Sequence, residues 1–144
     1  MIGVILTGHG NFATGMESAA QLIVGKKENL VAVDFKPGSS DTDLKNELGK
    51  AFDKLASCSH IVVLTDLMGG TPFKTSAMLS VEHKNSTVTY GANLPVVLEL
   101  CMSMADPIND IEDFIDKTIQ IGKEQINKFV FDKVQGSNNE DEGI

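Results

Sequence analysis

The segment IGVILTGHG, residues 2–10, decides the fold prediction. Its first part, residues 2–6, is apolar apart from one glycine and lacks polar alternation, which is typical of a parallel-sheet strand covered on both faces. It closes on His9 between two glycines, which allow a sharp turn and give another molecule close access to the imidazole. The segment therefore predicts a buried strand that ends at a candidate functional histidine.

Three further runs of the same character and five helical patterns complete the fold prediction. The runs are residues 30–35, 61–65 and 87–90. The helical patterns cover residues 14–24, residues 41–55 after a cap at Ser39 or Ser40, a segment from Thr71, residues 95–104, and residues 111 to about 129. This order predicts an α/β fold, doubly wound, with a mainly parallel four-stranded sheet and helices on both faces.

Capping signals predict where two of these helices begin and end. Thr14 and Glu17 have the spacing of a capping box, and Gly25 can close the same helix. Thr71 followed by Pro72 predicts an N-cap with proline in the first helical position.

Composition restricts the class of protein. A chain of 144 residues suits one compact domain, and its net charge of -8 argues against a nucleic-acid binder. No apolar run approaches the roughly 20 residues of a membrane span, and the N-terminus does not have the form of a signal peptide. We therefore expect a cytoplasmic protein without membrane insertion, in which Cys58 and Cys101 are reduced, partly buried thiols.

The C-terminal region divides into two parts. Residues 1–134 are expected to form a single domain, and the polar, acidic residues 135–144 a disordered tail. Within the domain, Lys128–Val134 is rich in β-type residues and predicts a further short strand, with no obvious place in the chain's own sheet.

The ends of the first and third strands predict the functional site. In an open α/β sheet, ligands bind beyond the carboxyl ends of the strands, where the strand order reverses. His9 and Asp66 end two strands that are expected to be neighbours at that point. Asp66 would accept one ring N–H, fix the tautomer and leave the other nitrogen as a nucleophile, since an ordinary imidazole is mostly neutral near pH 7.

The residues after Asp66 predict an anion site. Gly69-Gly70-Thr71-Pro72 leads into a helix N-terminus, where free N–H groups and the helix dipole favour an anion. We take Gly70, Thr71 and Gly10 as candidate phosphate-binding residues. A histidine, a carboxylate and an anion cradle suggest phosphate carried on histidine, because phosphoryl transfer needs mainly positioning and charge stabilisation. The pattern calls for no metal ion and no cofactor.

A purely structural interpretation stays open for each of these features, because glycine-flanked histidines and Gly-Gly-Thr-Pro turns also occur without function. His60 precedes a strand and His83 follows a helix, so both are interpreted as surface residues. Phe12, Leu67 and Met68 flank the predicted site. They belong either to the core or, if exposed, to a docking surface.

With these residues in place, the sequence resembles the IIA component of the mannose-type sugar phosphotransferase system (the mannose, fructose and sorbose family), over positions 1 to about 130. The most specific parts are Gly8-His9-Gly10 and Asp66-x-x-Gly-Gly-Thr-Pro-Phe73. Supporting parts are the turn Asp34-Phe35-x-Pro-Gly38 and Gly91-Ala-Asn-Leu-Pro95.

The resemblance implies a role for each site residue. His9 would accept a phosphoryl group at Nε2 from the phosphocarrier protein HPr, with Asp66 holding Nδ1 and the Thr71 hydroxyl donating to phosphate. The group would pass to a IIB component on a separate polypeptide, which works with membrane IIC and IID components. The positions of Phe12 and Met68 often hold other bulky residues in the family, so the docking surface here is expected to differ in detail.

The resemblance also implies a homodimer that exchanges a C-terminal strand, antiparallel to the partner's sheet edge, with Lys128–Val134 as the candidate strand. Three alternatives to this family stay open. They are the phosphotransferase subunit of the dihydroxyacetone kinase system, a chelatase-like α/β protein in which a second histidine would join His9 at a metal, and a regulatory α/β binding domain.

Overall fold

The computed structural model describes residues 1–132, so the last two residues of the predicted strand, Lys133 and Val134, and the predicted tail at 135–144 lie outside the described residues. Its elements, in chain order, are β1 (Ile2–His9), α1 (Phe12–Val24), β2 (Leu30–Phe35), α2 (Asp41–Lys54), β3 (His60–Thr65), α3 (Thr71–Ser80), β4 (Ser86–Thr89), α4 (Leu94–Met102) and α5 (Ile111–Glu124).

The four strands form one parallel sheet in the order β2-β1-β3-β4, which confirms the predicted fold class. The register pairs Thr7 with Thr65, so β1 and β3 reach their carboxyl ends side by side. Strand order reverses between these two strands. His9 is the last residue of β1, and the sheet therefore carries the histidine directly to the switch point.

Alternation along β1 assigns its side chains to two apolar layers, because successive strand residues point to opposite faces. Val4 and Leu6 belong to a layer formed with α1, α4 and α5, whereas Ile5 packs with α2 and α3. Helices thus cover both faces of the sheet, and along β1 the core residues precede the residues of the site. Between residues 1 and 132, none of the helices combines the length and apolarity required to cross a bilayer.

The helix ends confirm some local predictions and correct others. Ser40 caps α2 in a capping box with Asp43, and Gly25, with φ of 78°, ends α1. The capping box predicted for Thr14 and Glu17 is wrong. The N-cap of α1 is Asn11, and Thr14 instead binds a carboxylate of β2.

The start of α3 and the end of α5 also differ from the predictions. Gly70, rather than Thr71, is the N-cap of α3, so Pro72 occupies the second helical position. α5 ends at Glu124, and residues 126–130 lie in neither a helix nor a strand of this single chain. The exchange of Lys128–Val134 between subunits stays a prediction.

Candidate active site

His9 and Asp66 meet at the switch point. Nδ1 of His9 lies 2.6 Å from Oδ2 of Asp66, and the same oxygen accepts the His9 backbone N–H at 2.8 Å. A carboxylate oxygen only accepts, so Nδ1 carries the proton and Nε2 keeps its lone pair. The histidine side chain is 49% exposed and that of Asp66 only 10%, so the ring is fixed from within and open on its outer side.

Asp66 is itself held by the chain that follows it. Its Oδ1 accepts the backbone N–H of Leu67 at 2.8 Å. Burial alone would raise the pKa of Asp66, but the hydrogen bonds from the backbone and ring of His9 and from Leu67 outweigh burial and lower this pKa below its ordinary value. The carboxylate therefore stays ionised at neutral pH.

Gly70 forms the wall behind the imidazole. A Cβ atom at this position would lie 2.8 Å from Cε1 and 3.5 Å from Nε2 of His9, so no larger residue fits without moving the ring. Phe35 contacts the ring edge-on from the other side, with ring centres 5.9 Å apart. The imidazole is therefore confined by Asp66, Gly70 and Phe35.

The N-terminus of α3 lies beside Nε2 and has no side-chain cap. Its first helical hydrogen bond joins the Lys74 N–H to the Gly70 carbonyl at 2.9 Å. The N–H groups of Thr71 and Phe73 therefore have no acceptor within the helix, and Pro72 has no N–H. Because Gly70 is the N-cap, the Thr71 hydroxyl is not used as one. Phe73 is a candidate donor that sequence reasoning missed, and the correct N-cap would have indicated it.

Gly10 was predicted to bind phosphate, but in this structure its backbone forms the turn after β1. Its φ of 58° permits the turn after β1, and its N–H donates to the Phe35 carbonyl at 2.9 Å. Its backbone N–H is thus occupied in this structure, while a Cβ there would meet nothing within 4 Å. The approach to His9 is open on this side.

A second carboxylate near the site was not predicted from the residues. Asp34 at the end of β2 accepts the Thr14 N–H at 3.0 Å and the Thr14 hydroxyl at 2.6 Å. The spacing of Thr14 and Glu17 predicts only a local capping box, because local spacing cannot show a contact across 20 residues. A polar side chain at the carboxyl end of β2 was the available signal.

The three predicted docking residues have different environments. Leu67 and Met68 are 53% and 66% exposed in the loop after Asp66. Phe12 is half-buried, and its ring occupies the space that a side chain at Gly8 would need. Exposure favours a docking surface for Leu67 and Met68, whereas Phe12 also packs α1 against β1.

The other two histidines are half-buried, so they are less exposed than their interpretation as surface residues implies. Nε2 of His60 lies 2.9 Å from the Thr87 hydroxyl, and burial lowers the pKa of this histidine, although Glu112 opposes the shift. His83 stacks on Phe52 with ring centres 4.3 Å apart. Among residues 1–132 there is no cluster of three or more His, Cys, Asp or Glu side chains that could hold a metal ion.

Comparison with known proteins identifies the family. The EIIA-man model, described as the PTS system fructose IIA component, matches residues 3–119. The chain belongs to this mannose-type EIIA family. A fructose-specific EIIA component of Bacillus subtilis is 28% identical over 133 residues, covering 89% of this chain and 91% of that protein. The mannose-specific EIIAB component of Escherichia coli is 25% identical, and the match covers 87% of this chain and 38% of that longer protein.

A solved structure supports the same assignment. The phosphotransferase system component EIIA from Streptococcus agalactiae has a TM-score of 0.79 and 37% identity, covering 90% of this chain and 98% of that one. EIIA components are phosphotransferases of sugar transport. The dihydroxyacetone kinase, chelatase-like and regulatory alternatives are therefore not favoured for this mannose-type EIIA chain.

Proposed function

We propose that this EIIA chain is a cytoplasmic phosphoryl carrier that accepts phosphate on Nε2 of His9 from phospho-HPr and passes it to a IIB component. The observation that carries the proposal is the 2.6 Å contact between Nδ1 of His9 and Asp66, in a ring whose outer side is open. The IIB component would then phosphorylate sugar delivered by the membrane IIC and IID components.

In the proposed reaction, the Nε2 lone pair of His9 attacks the phosphorus of phosphohistidine in HPr. The new N–P bond forms as the old one breaks, and the departing HPr nitrogen keeps the electron pair. The imidazole becomes more electron-poor, and Asp66 stabilises the developing positive charge through the Nδ1 proton. Transfer to IIB reverses these roles, with His9 as the leaving group.

The phosphoryl oxygens are proposed to bind at the N-terminus of α3. The N–H groups of Gly70, Thr71 and Phe73 and the Thr71 hydroxyl are the candidate donors, and the helix dipole adds to the attraction. Gly10 keeps the approach open. Leu67 and Met68, with the exposed part of Phe12, are proposed to contact both protein partners, because each must bring its own phosphorylated residue to Nε2.

Incubation with phosphoenolpyruvate, enzyme I, HPr and ³²P label tests this function. We expect an acid-labile, base-stable label on the wild-type chain and none on His9→Ala. His60→Gln is the matched control, because glutamine can keep the hydrogen bond to Thr87. Label that persists in His9→Ala, or is lost in a folded His60→Gln, would refute His9 as the acceptor.

We also propose a homodimer that exchanges the segment Lys128–Val134 antiparallel to the partner's β4. Within the described residues, β4 pairs only with β3, which leaves its other edge free. A groove of about 340 Å³ lies between this strand and α5, and three large apolar side chains follow α5 in exposed positions: Ile126, Phe129 and Phe131. Such a combination of free edge and exposed apolar segment favours strand addition.

Light scattering after size exclusion tests the homodimer. We expect the wild type to elute as a dimer and the double variant Phe129→Ser, Phe131→Ser to dissociate. Leu22→Ser is the control, because Leu22 is 90% exposed on α1, away from the groove. A monomeric wild type, or a double variant that stays dimeric, would contradict the proposal.

A further inference from the structure

Two helices begin beside His9 at the same edge of the sheet, and their first turns are filled differently. α1 has no cap from its own N-cap residue, Asn11. Asp34 of β2 takes that place, with one oxygen on the Thr14 N–H and the other on the Thr14 hydroxyl. α3 has neither a side-chain cap nor an acidic residue in its first turn. One helix end therefore holds an internal anion and the other is open.

The register sets the relation of Asp34 to the histidine. Gly8 pairs with Asp34, and His9 pairs with Phe35. Because successive strand residues point to opposite faces, Asp34 lies on the α1 side of the sheet, while His9 shares the other side with Phe35. Asp34 and His9 are thus neighbours in the sheet without sharing a face. Asp34 can influence a group on His9 through its charge rather than through contact.

We propose that Asp34 is a positioning residue of phosphoryl transfer, whose carboxylate fills the N-terminus of α1 and so directs the phosphoryl group on His9 to the open N-terminus of α3. This inference rests on the proposed phosphorylation of His9. The α1 N-terminus would otherwise be a second anion site at the same edge of the sheet, on the face opposite His9. With the aspartate in place, that site is already occupied and repels a further anion.

The same repulsion has a consequence for the energy of the carrier. A phosphoryl group brings nearly two negative charges, and repulsion between like charges is largely screened only beyond the Debye length, roughly 8 Å in physiological salt. Because Asp34 pairs with Gly8, the neighbour of His9, its charge lies on the adjacent strand. Asp34 therefore raises the free energy of the phosphorylated chain relative to the unphosphorylated chain. A carrier benefits from this, because the group must leave again for the next protein.

The partition of label between HPr and this chain at equilibrium tests the inference. Asparagine can still accept the Thr14 N–H but carries no charge, so we expect Asp34→Asn to shift the partition toward the phosphorylated chain by about three-fold at low salt. The shift should shrink at 1 M KCl, where the Debye length is about 3 Å. Asp34→Ser serves as a second neutral variant if Asp34→Asn does not fold.

Two controls separate charge from structure. Thr14→Val keeps the carboxylate and loses one hydrogen bond, so we expect a lower Tm with an unchanged partition. Asp110→Asn removes a carboxylate that caps α5, which begins beside Ile2 at the opposite end of the sheet, and should not move the partition.

Two outcomes would overturn the role of Asp34 while the function stands. In the first, wild-type His9 carries label, but the partition of label is the same for Asp34→Asn as for Asp110→Asn. In the second, Asp34→Asn shifts the partition of label toward HPr. Absence of label on wild-type His9 would refute the proposed function itself.

Discussion

α1 and α3 begin at one edge of the sheet, and each begins against a glycine, but the two glycines make room for different things. A Cβ at Gly8 would lie 2.4 Å from Cδ1 of Phe12, the first residue of α1. A Cβ at Gly70 would lie 2.8 Å from Cε1 of His9. The same arrangement of strand, turn and helix therefore packs protein against protein at α1 and leaves a nucleophile beside an open helix end at α3.

The comparison shows what separates a structural turn from a candidate site. Both turns contain glycine and lead into a helix with free N–H groups. At α1 Asp34 accepts one of these groups, the Thr14 N–H, whereas at α3 no side chain caps the N–H groups next to Nε2 of His9. A helix N-terminus becomes a candidate anion site only when nothing in the chain already fills it.

Gly70→Ala breaks the α3 side of the comparison and has the largest expected effect. The added methyl group must displace the imidazole, and misplacement by about 1 Å can cost roughly 100-fold in rate, so we expect at least that loss in transfer from phospho-HPr. Rapid-quench labelling measures it. Gly49→Ala, in α2 with open space around the added atom, should transfer normally. Normal transfer by Gly70→Ala would refute the claim that the His9 imidazole must stay in its present position for transfer.

Asp66→Asn tests the anchoring of the same ring. Loss of the carboxylate frees the tautomer and removes the charge that stabilises the imidazolium, so we expect transfer to slow by about 10- to 100-fold. The same quench assay measures this, with a thermal melt to establish that the variant folds. Asp53→Asn, an exposed position on α2, is the control. Equal rates for the two variants would rule out the orienting role.

Gly8→Ala tests the α1 side. The added methyl group would overlap Phe12, and overpacking of this kind costs about 1–3 kcal/mol in the free energy of unfolding. Urea denaturation measures the loss, and we expect the folded fraction to transfer far better than Gly70→Ala does. If Gly8→Ala abolished transfer without loss of stability, the assignment of a structural role to Gly8 and of a role in the site to Gly70 would be contradicted.

The smallest expected effect is a change in acid stability. Because the pKa of Asp66 is lower in the folded chain, its contribution to stability is present above the pKa of the unfolded state, near 3.9, and disappears as the pH falls through the folded value. Wild type should therefore lose more stability than Asp66→Asn between pH 5 and pH 2. Urea denaturation across this range checks it, and parallel curves would contradict the low pKa.

The parallel sheet and the pairing of His9 with Asp66 at its switch point could be predicted from the sequence, because both depend on local signals. Apolar runs without alternation predicted four parallel strands, and His9 and Asp66 each end one of them. The rule that ligands bind where strand order reverses then placed the two residues together. Their contact at 2.6 Å is what that reasoning expected.

The remaining features depend on contacts between distant residues. Thr14 satisfies the spacing of a capping box, but Asp34 is a better acceptor that only the folded sheet brings near. His83, after the end of α3, is half-buried, and Phe52 of α2 stacks on it. Gly70 takes the N-cap position because the backbone must pass close to His9, a constraint that propensity alone does not contain. Sequence patterns predicted elements, whereas partners across the fold determined how they end.

Nitrogen-15 NMR of the histidine-labelled, phosphorylated chain tests the central claim most directly. The account predicts that phosphorylation changes Nε2 of His9, while Nδ1 keeps its proton and its hydrogen bond to Asp66. Phosphate on Nδ1, or a His9 ring unchanged in a chain that carries label, would contradict it.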